Sequence, residues 1–259
     1  MRERGLGVRV LHRPKLCPSP HPLIPNPFSP KGEGAKKAAM KKTDTLPAPE
    51  APRDCSLCPR LVAYREAVRA KEPSWFNGAV PSFGNDTAEL LIVGLAPGVT
   101  GANRTGRPFT GDWAGDLLYT TLDKFGFSKG TFAADPNDGL VLTGAMITNA
   151  VRCVPPENKP VGAEINQCRP FLEARIAALP RLKAILCLGK ISHDSTLRAL
   201  GLKVAQYPFG HGTKYEVTAN GKPVTLLSSY HCSRYNTNTG RLTAEMFEAV
   251  FAEARRAVA

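Results

Sequence analysis

The stretch LLIVGLAPGVTGANRTGRPFTGD, residues 90–112, carries an uninterrupted apolar run, Leu90 to Val93, into a glycine-rich loop that holds Asn103 and Phe109 and closes on Asp112. An apolar run of this length that stops at glycine is the pattern of a strand buried on both faces of a parallel sheet. Three later segments repeat it: GAMITN at 144–149, KAILCLG at 183–189 and VTLLSSY at 224–230. Helix-like stretches lie around them, at 112–125, 162–179, 190–200 and 243–257, and a Cys-bearing turn leads into a helix over 55–69. Strands alternating with helices predict an α/β fold, a three-layer α/β/α sandwich around a central, mainly parallel four-stranded sheet. The Asn-Gly pair in EVTANGKPVTLL predicts a hairpin entering the last strand. No internal repeat is visible.

The chain has 259 residues, is 42% hydrophobic and carries a net charge of +12. No window approaches the roughly 18 apolar residues of a membrane-spanning helix. The positive charge suggests a polyanionic partner, but residues 1–39 hold eight Lys/Arg against two Glu, half of the excess. That Pro-rich, basic stretch offers little to bury, which predicts a disordered extension over residues 1–50, with Met40 as an alternative start, ahead of a folded domain at 51–259. No export signal is recognisable, and the cysteine count is odd at seven, so the protein is expected in the cytosol with reduced or metal-bound thiols.

In a parallel sheet the ligand lies beyond the carboxyl ends of the strands. Three polar segments follow the apolar runs: GLAPG after the first, TNAVRC ending the second and YHCSRYN after the last. Lys190 and Ser192 lie on the same edge and start a helix. The first loop lacks both P-loop and dinucleotide-binding spacing. It supplies instead backbone freedom at Gly94, Gly98, Gly101 and Gly106, an aromatic face at Phe109 and a carboxylate at Asp112, which could equally be a helix N-cap. In the third loop His231 can donate to a carbonyl, Ser233 or Arg234 can meet a phosphate, and Tyr235 can stack. Cys55 and Cys58 form a CxxC pair, and Cys153 and Cys168 complete a set of four thiolates suited to zinc or to an iron–sulfur cluster. Cys187 reads as core, and Cys17 lies in the extension.

Taken together, CSLCPR, GLAPGVTGANRTGRPFTGD, ITNAVRCVPPENKP and HCSRYNTNTGRLT resemble the uracil-DNA glycosylase superfamily, and in particular its family-5 iron–sulfur branch, from Cys55 to the C-terminus. Leu95 stands where family-4 enzymes carry an acidic residue, and Cys232 where the common motif has proline. The resemblance implies a monofunctional enzyme that flips uracil or another deaminated base such as hypoxanthine out of DNA and hydrolyses its glycosidic bond. Phe109 would then be the stacking platform, Asn149 would read the base edge, and His231 would donate to the oxygen that gains charge. Asp112 would position or deprotonate the water. Gly94, Ala96, Pro97, Gly98, Asn103 and Ser233 would complete the pocket. Arg234 and Tyr235 would form a wedge, while Arg104 and Arg107 would meet phosphates. Cys55, Cys58, Cys153 and Cys168 would hold a [4Fe-4S] cluster in a structural role. The partner would be DNA, bound by a monomer. The rival reading is a catalytically silent nucleic-acid-binding module on the same fold.

Overall fold

The computed structural model describes residues 46–259, so residues 1–45 of the extension expected over 1–50, and the alternative start at Met40, lie outside the described residues. In chain order the strands are β1 (Phe83–Gly84), β2 (Leu90–Gly94), β3 (Ser128–Lys129), β4 (Val141–Leu142), β5 (Ala145–Asn149), β6 (Ala184–Leu188), β7 (Lys214–Ala219) and β8 (Lys222–Ser229). The helices are α1 (Pro59–Lys71), α2 (Ala102–Thr105), α3 (Trp113–Lys124), α4 (Gly162–Ala177), α5 (Lys190–Ala199), α6 (Arg234–Asn238) and α7 (Ala244–Val258). None of the described helices is long and apolar enough to cross a membrane.

The four apolar runs become β2, β5, β6 and β8, which pair parallel in the order β5-β2-β6-β8. The sheet has six strands, not the expected four, because β1 and β7 add to its two edges in antiparallel sense. Both additions escape a search for apolar runs, since β1 is two residues long and β7 alternates exposed and buried positions as an edge strand does. The expected hairpin joins β7 to β8, with Ala219 opposite Lys222 and both turn residues at positive φ, Asn220 at 52° and Gly221 at 72°. Such a two-residue turn matches the twist of the strands it joins.

Side chains alternate across β2, and the alternation makes the three layers. Leu90 and Ile92 face α3 and α7, whereas Leu91 and Val93 face α4 and α5. On α7, Phe247, Val250, Phe251, Ala254 and Val258 form one apolar stripe at helical spacing, and Thr243 caps the helix by accepting from the Met246 amide at 3.2 Å. Phe247 and Phe251 are fully buried, each contributing roughly 1.5–3 kcal/mol. A third cluster packs α1 through Leu61 against Val151, Cys153, Cys168 and Phe171.

Two sequence expectations are corrected at the domain's margins. Glu50 was placed in the disordered extension, yet it pairs with Arg152 and Arg175 and accepts from the Ser82 amide at 2.9 Å. The ordered domain therefore begins before residue 51. Arg107 was expected to meet phosphate, but its side chain is 5% exposed and forms a two-pronged pair with Asp138 at 2.7 and 2.8 Å. Its guanidinium also lies over Phe83, Tyr119 and Phe132, 5.2 to 5.7 Å from the ring centroids. Removing the carboxylate would strand a buried cation. Asp138→Asn is therefore expected to cost about 3–5 kcal/mol, measured as a lower urea midpoint with an unchanged slope.

Candidate active site

Parallel register places Gly94, the last residue of β2, beside Asn149, the last residue of β5. A Cβ on Gly94 would collide with Asn149 Oδ1 and would stand 2.7 Å from Phe109 Cζ. Glycine is thus required for the Asn149 amide and the Phe109 ring to meet at the strand ends. Phe109 is held at φ 54°, a left-handed conformation that costs a non-glycine residue about 1–3 kcal/mol. Tyr119 steadies the neighbouring residue by donating to the Pro108 carbonyl at 2.8 Å. The His231 ring faces Phe109 with centroids 5.8 Å apart and planes 26° from parallel.

Asp112 closes the same loop. Its backbone stands at the N-cap position of α3, but its side chain makes no capping bond, and buried Oδ1 has no partner among the described residues. A Cβ on Gly101 would collide with the other oxygen, and one on Gly98 would stand 3.4 Å from it. Burial pushes the Asp112 carboxyl above its ordinary range, partly offset by the Gly115 and Ala114 amides at the start of α3. Burial pushes His231 down to about 4, so the imidazole is neutral at pH 7. One cavity is lined by Ala96, Gly98, Asp112, His231, Ser233 and Arg234. Ser233 also caps α6, accepting from the Asn236 amide. Cys232, the departure from proline, is fully buried and sits 3.5 Å from the Ala114 carbonyl, so this loop is tied to the start of α3 by a side chain.

Not every expected pocket residue reaches the cavity. Asn103 is fully buried and donates to Asn77 Oδ1 at 3.0 Å, which makes it a support of the loop and not a wall of the pocket. Pro97 is buried next to the lining residues Ala96 and Gly98. Arg104 is exposed, with its Nε bonded to the Thr100 carbonyl, and Tyr235 is 71% exposed. Among the lining residues that sequence reading passed over are Trp113, next to Asp112, and Asn158, which follows Glu157 with both at positive φ. A pair of left-handed residues in PPENKP leaves no periodic trace, so only the motif itself could have drawn attention to Asn158.

The four expected metal ligands come together behind this edge. Cys55 and Cys58 precede α1, Cys153 lies beyond β5, Cys168 sits within α4, and all four line one apolar cavity. Arg65, buried on α1, donates to Cys153 Sγ at 3.6 Å, and the Arg152 amide donates to Cys168 Sγ at 3.3 Å. Burial, reinforced by the neighbouring thiols, pushes Cys58 up to about 11. Burial likewise carries Cys153 to about 12, so with no cation beside it this thiol is protonated at pH 7. Among the described residues no three His, Cys, Asp or Glu side chains are grouped to hold a single metal ion.

A carboxyl whose folded pKa exceeds its unfolded value costs stability once the unfolded chain ionises. For Asp112 that cost sets in as pH rises above 3.8. Asp112→Asn is accordingly expected to raise the melting temperature at pH 7, with the gain shrinking as pH is lowered towards 4, as thermal unfolding at several pH values would show.

The family model of the uracil DNA glycosylase superfamily matches residues 81–255. The chain is 45% identical over 208 residues to a type-5 uracil-DNA glycosylase of Thermus thermophilus, covering 78% of this chain and 93% of the relative. It is 42% identical to a type-5 enzyme of Mycobacterium tuberculosis, covering 78% and 77%. Against the type-4 uracil-DNA glycosylase of Pyrobaculum aerophilum the identity is 31%, covering 69% of this chain and 78% of the relative. With its parallel sheet, its loop order and its strand-end pocket, the chain belongs to the uracil-DNA glycosylase superfamily.

Proposed function

We propose that the protein is a monofunctional DNA glycosylase that hydrolyses the N-glycosidic bond of uracil, and of other deaminated bases such as hypoxanthine, to leave an abasic site. The observation that carries this is the buried, unpartnered Asp112 Oδ1 in a cavity shared with His231, which is neutral at pH 7. An unpaired carboxylate oxygen there can hold the attacking water and favour the cationic character that grows on the sugar as the bond breaks. Neutral His231 donates to the uracil oxygen that gains charge. Asn149 offers a carbonyl and an amide to the base edge, and Phe109 stacks on its face. With centroids 5.8 Å apart, the Phe109 and His231 rings are too close to admit a base between them, so binding moves the His231 loop outward. Lys190, which follows β6 on this edge, is paired with Asp194 at 2.7 Å and is not poised for Schiff-base chemistry. Exposed Arg104 meets the DNA backbone.

The test is a single-turnover assay on labelled duplexes carrying uracil or hypoxanthine. Strand breaks are expected only after alkali, at rates that Asp112→Asn lowers by about 10²–10⁴-fold. DNA binding without breaks on either lesion would favour the silent binding module.

The same reading assigns a [4Fe-4S] cluster to Cys55, Cys58, Cys153 and Cys168. Four thiols spread around an apolar cavity, with two nitrogen donors on their sulfurs, fit a polynuclear cluster. When bound, the cluster supplies a cross-link; base hydrolysis has no redox step for it to serve. The chain's own part is to bring the loop beyond Asn149, the start of α1 and α4 to one point. Cys153→Ala, purified anaerobically, is expected to lose the brown chromophore and at least about 10 °C of melting temperature. An unchanged melting temperature with complete loss of activity would contradict a structural role.

A further inference from the structure

The short helix α6 carries Arg234 and Tyr235, the residues placed to enter the duplex, yet it has five residues and cannot hold itself in place. Its other side-chain bonds are local: Ser233 caps it, and Asn236 Nδ2 donates to the His231 carbonyl at 2.8 Å. Among the described residues, the one side chain from outside residues 231–242 that hydrogen-bonds to α6 is Trp113, whose Nε1 donates to Thr237 Oγ1 at 3.1 Å across 124 residues of sequence. The Arg234 guanidinium lies 5.4 Å from the centroid of the same indole. Trp113 is 51% exposed, so burial does not account for a large aromatic residue at this position.

We infer that Trp113 is the positioning residue of the base-extruding wedge: its indole fixes Arg234 by a cation–π contact and Thr237 by a hydrogen bond, holding α6 and Tyr235 up against the duplex. The inference rests on the glycosylase reading above. Trp113 follows Asp112 at the start of α3, so one turn of helix bears both the water-positioning carboxylate and the brace for the wedge. A wedge matters in proportion to the pairing it must break, since an unpaired base is the least costly to extrude.

The experiment compares single-turnover rates at saturating enzyme on two duplexes, one with uracil opposite adenine and one with uracil facing an abasic analogue. For Trp113→Ala, the rate on the paired uracil is expected to fall about tenfold more than on the unpaired one, the scale of one exposed cation–π contact plus one hydrogen bond. Trp113→Phe keeps a ring face for Arg234 and should fall between Trp113→Ala and the parent. In an Arg234→Ala background Trp113→Ala should add less than about twofold, because coupled contacts are not additive. Equal loss on both duplexes, the result of a ring that contacts DNA directly or sets Asp112, overturns the inference. So does no loss on either, or full additivity with Arg234→Ala. If the parent protein cleaves neither duplex after alkali, the glycosylase reading itself falls and the wedge with it, an outcome distinct from an active parent whose paired-to-unpaired ratio ignores Trp113.

Discussion

The active edge depends on the parallel pairing of β2 with β5, which sets Gly94 against Asn149. β2 is paired on both sides through Val93, by β5 and by β6, and Gly94 itself is paired with β5, which limits how far its α-carbon could shift to make room for a side chain. The missing Cβ is what lets Asn149 and Phe109 converge. Convergence in turn requires Phe109 to stay in a strained backbone conformation, and that strain persists only if its surroundings are stiff. The buried Arg107–Asp138 pair, two residues upstream of Phe109, and the Tyr119 bond to Pro108 provide that stiffness.

Electrostatics follow from the same enclosure. A cationic imidazole beside Asp112 would form an ion pair and cancel the field of the carboxylate. Burial keeps His231 neutral at pH 7, with its pKa pushed down to about 4, so it brings no positive charge into the cavity it shares with Asp112. Both shifts have one cause: burial disfavours the charged form of each group, raising the carboxyl of Asp112 and lowering the imidazole of His231. Leaving a carboxylate oxygen buried and unpaired lowers stability, a cost commonly located where a site must act.

Much of this was legible in the sequence, for physical reasons that also explain the exceptions. β2, β5, β6 and β8 are buried on both faces and so leave uninterrupted apolar runs. β1 and β7 lie at the sheet's edges, where pairing needs no such run. That Phe109, Asp112, Asn149 and His231 lie towards one edge of the sheet was legible because each ends a strand or sits in a loop that follows one. Asn103 and Arg107 were misread because their partners, Asn77 and Asp138, are 26 and 31 residues away and give the loop no local mark. Glu50 was lost to the extension for the same reason, its ion-pair partner Arg175 lying 125 residues on. The exposure of Trp113 is a tertiary fact that helical spacing cannot report.

The three strand-end loops are anchored very differently. The loop of residues 94–112 is held by the Arg107–Asp138 pair and by Asn103 on Asn77. The segment beyond Asn149 is gripped at Arg152, which bonds Glu50, Ser82 and the Pro49 carbonyl, and at Cys153 within the four-thiol cavity. Among the described residues, the loop of residues 231–242 has buried Cys232 and Leu242 beneath it, the His231 ring against Phe109, and the Trp113 contact above it, with no ion pair to hold it. The loop with the fewest of these anchors carries His231, Arg234 and Tyr235, so of the three it costs least to displace, while Phe109, Asn149 and Asp112 are held close to the sheet.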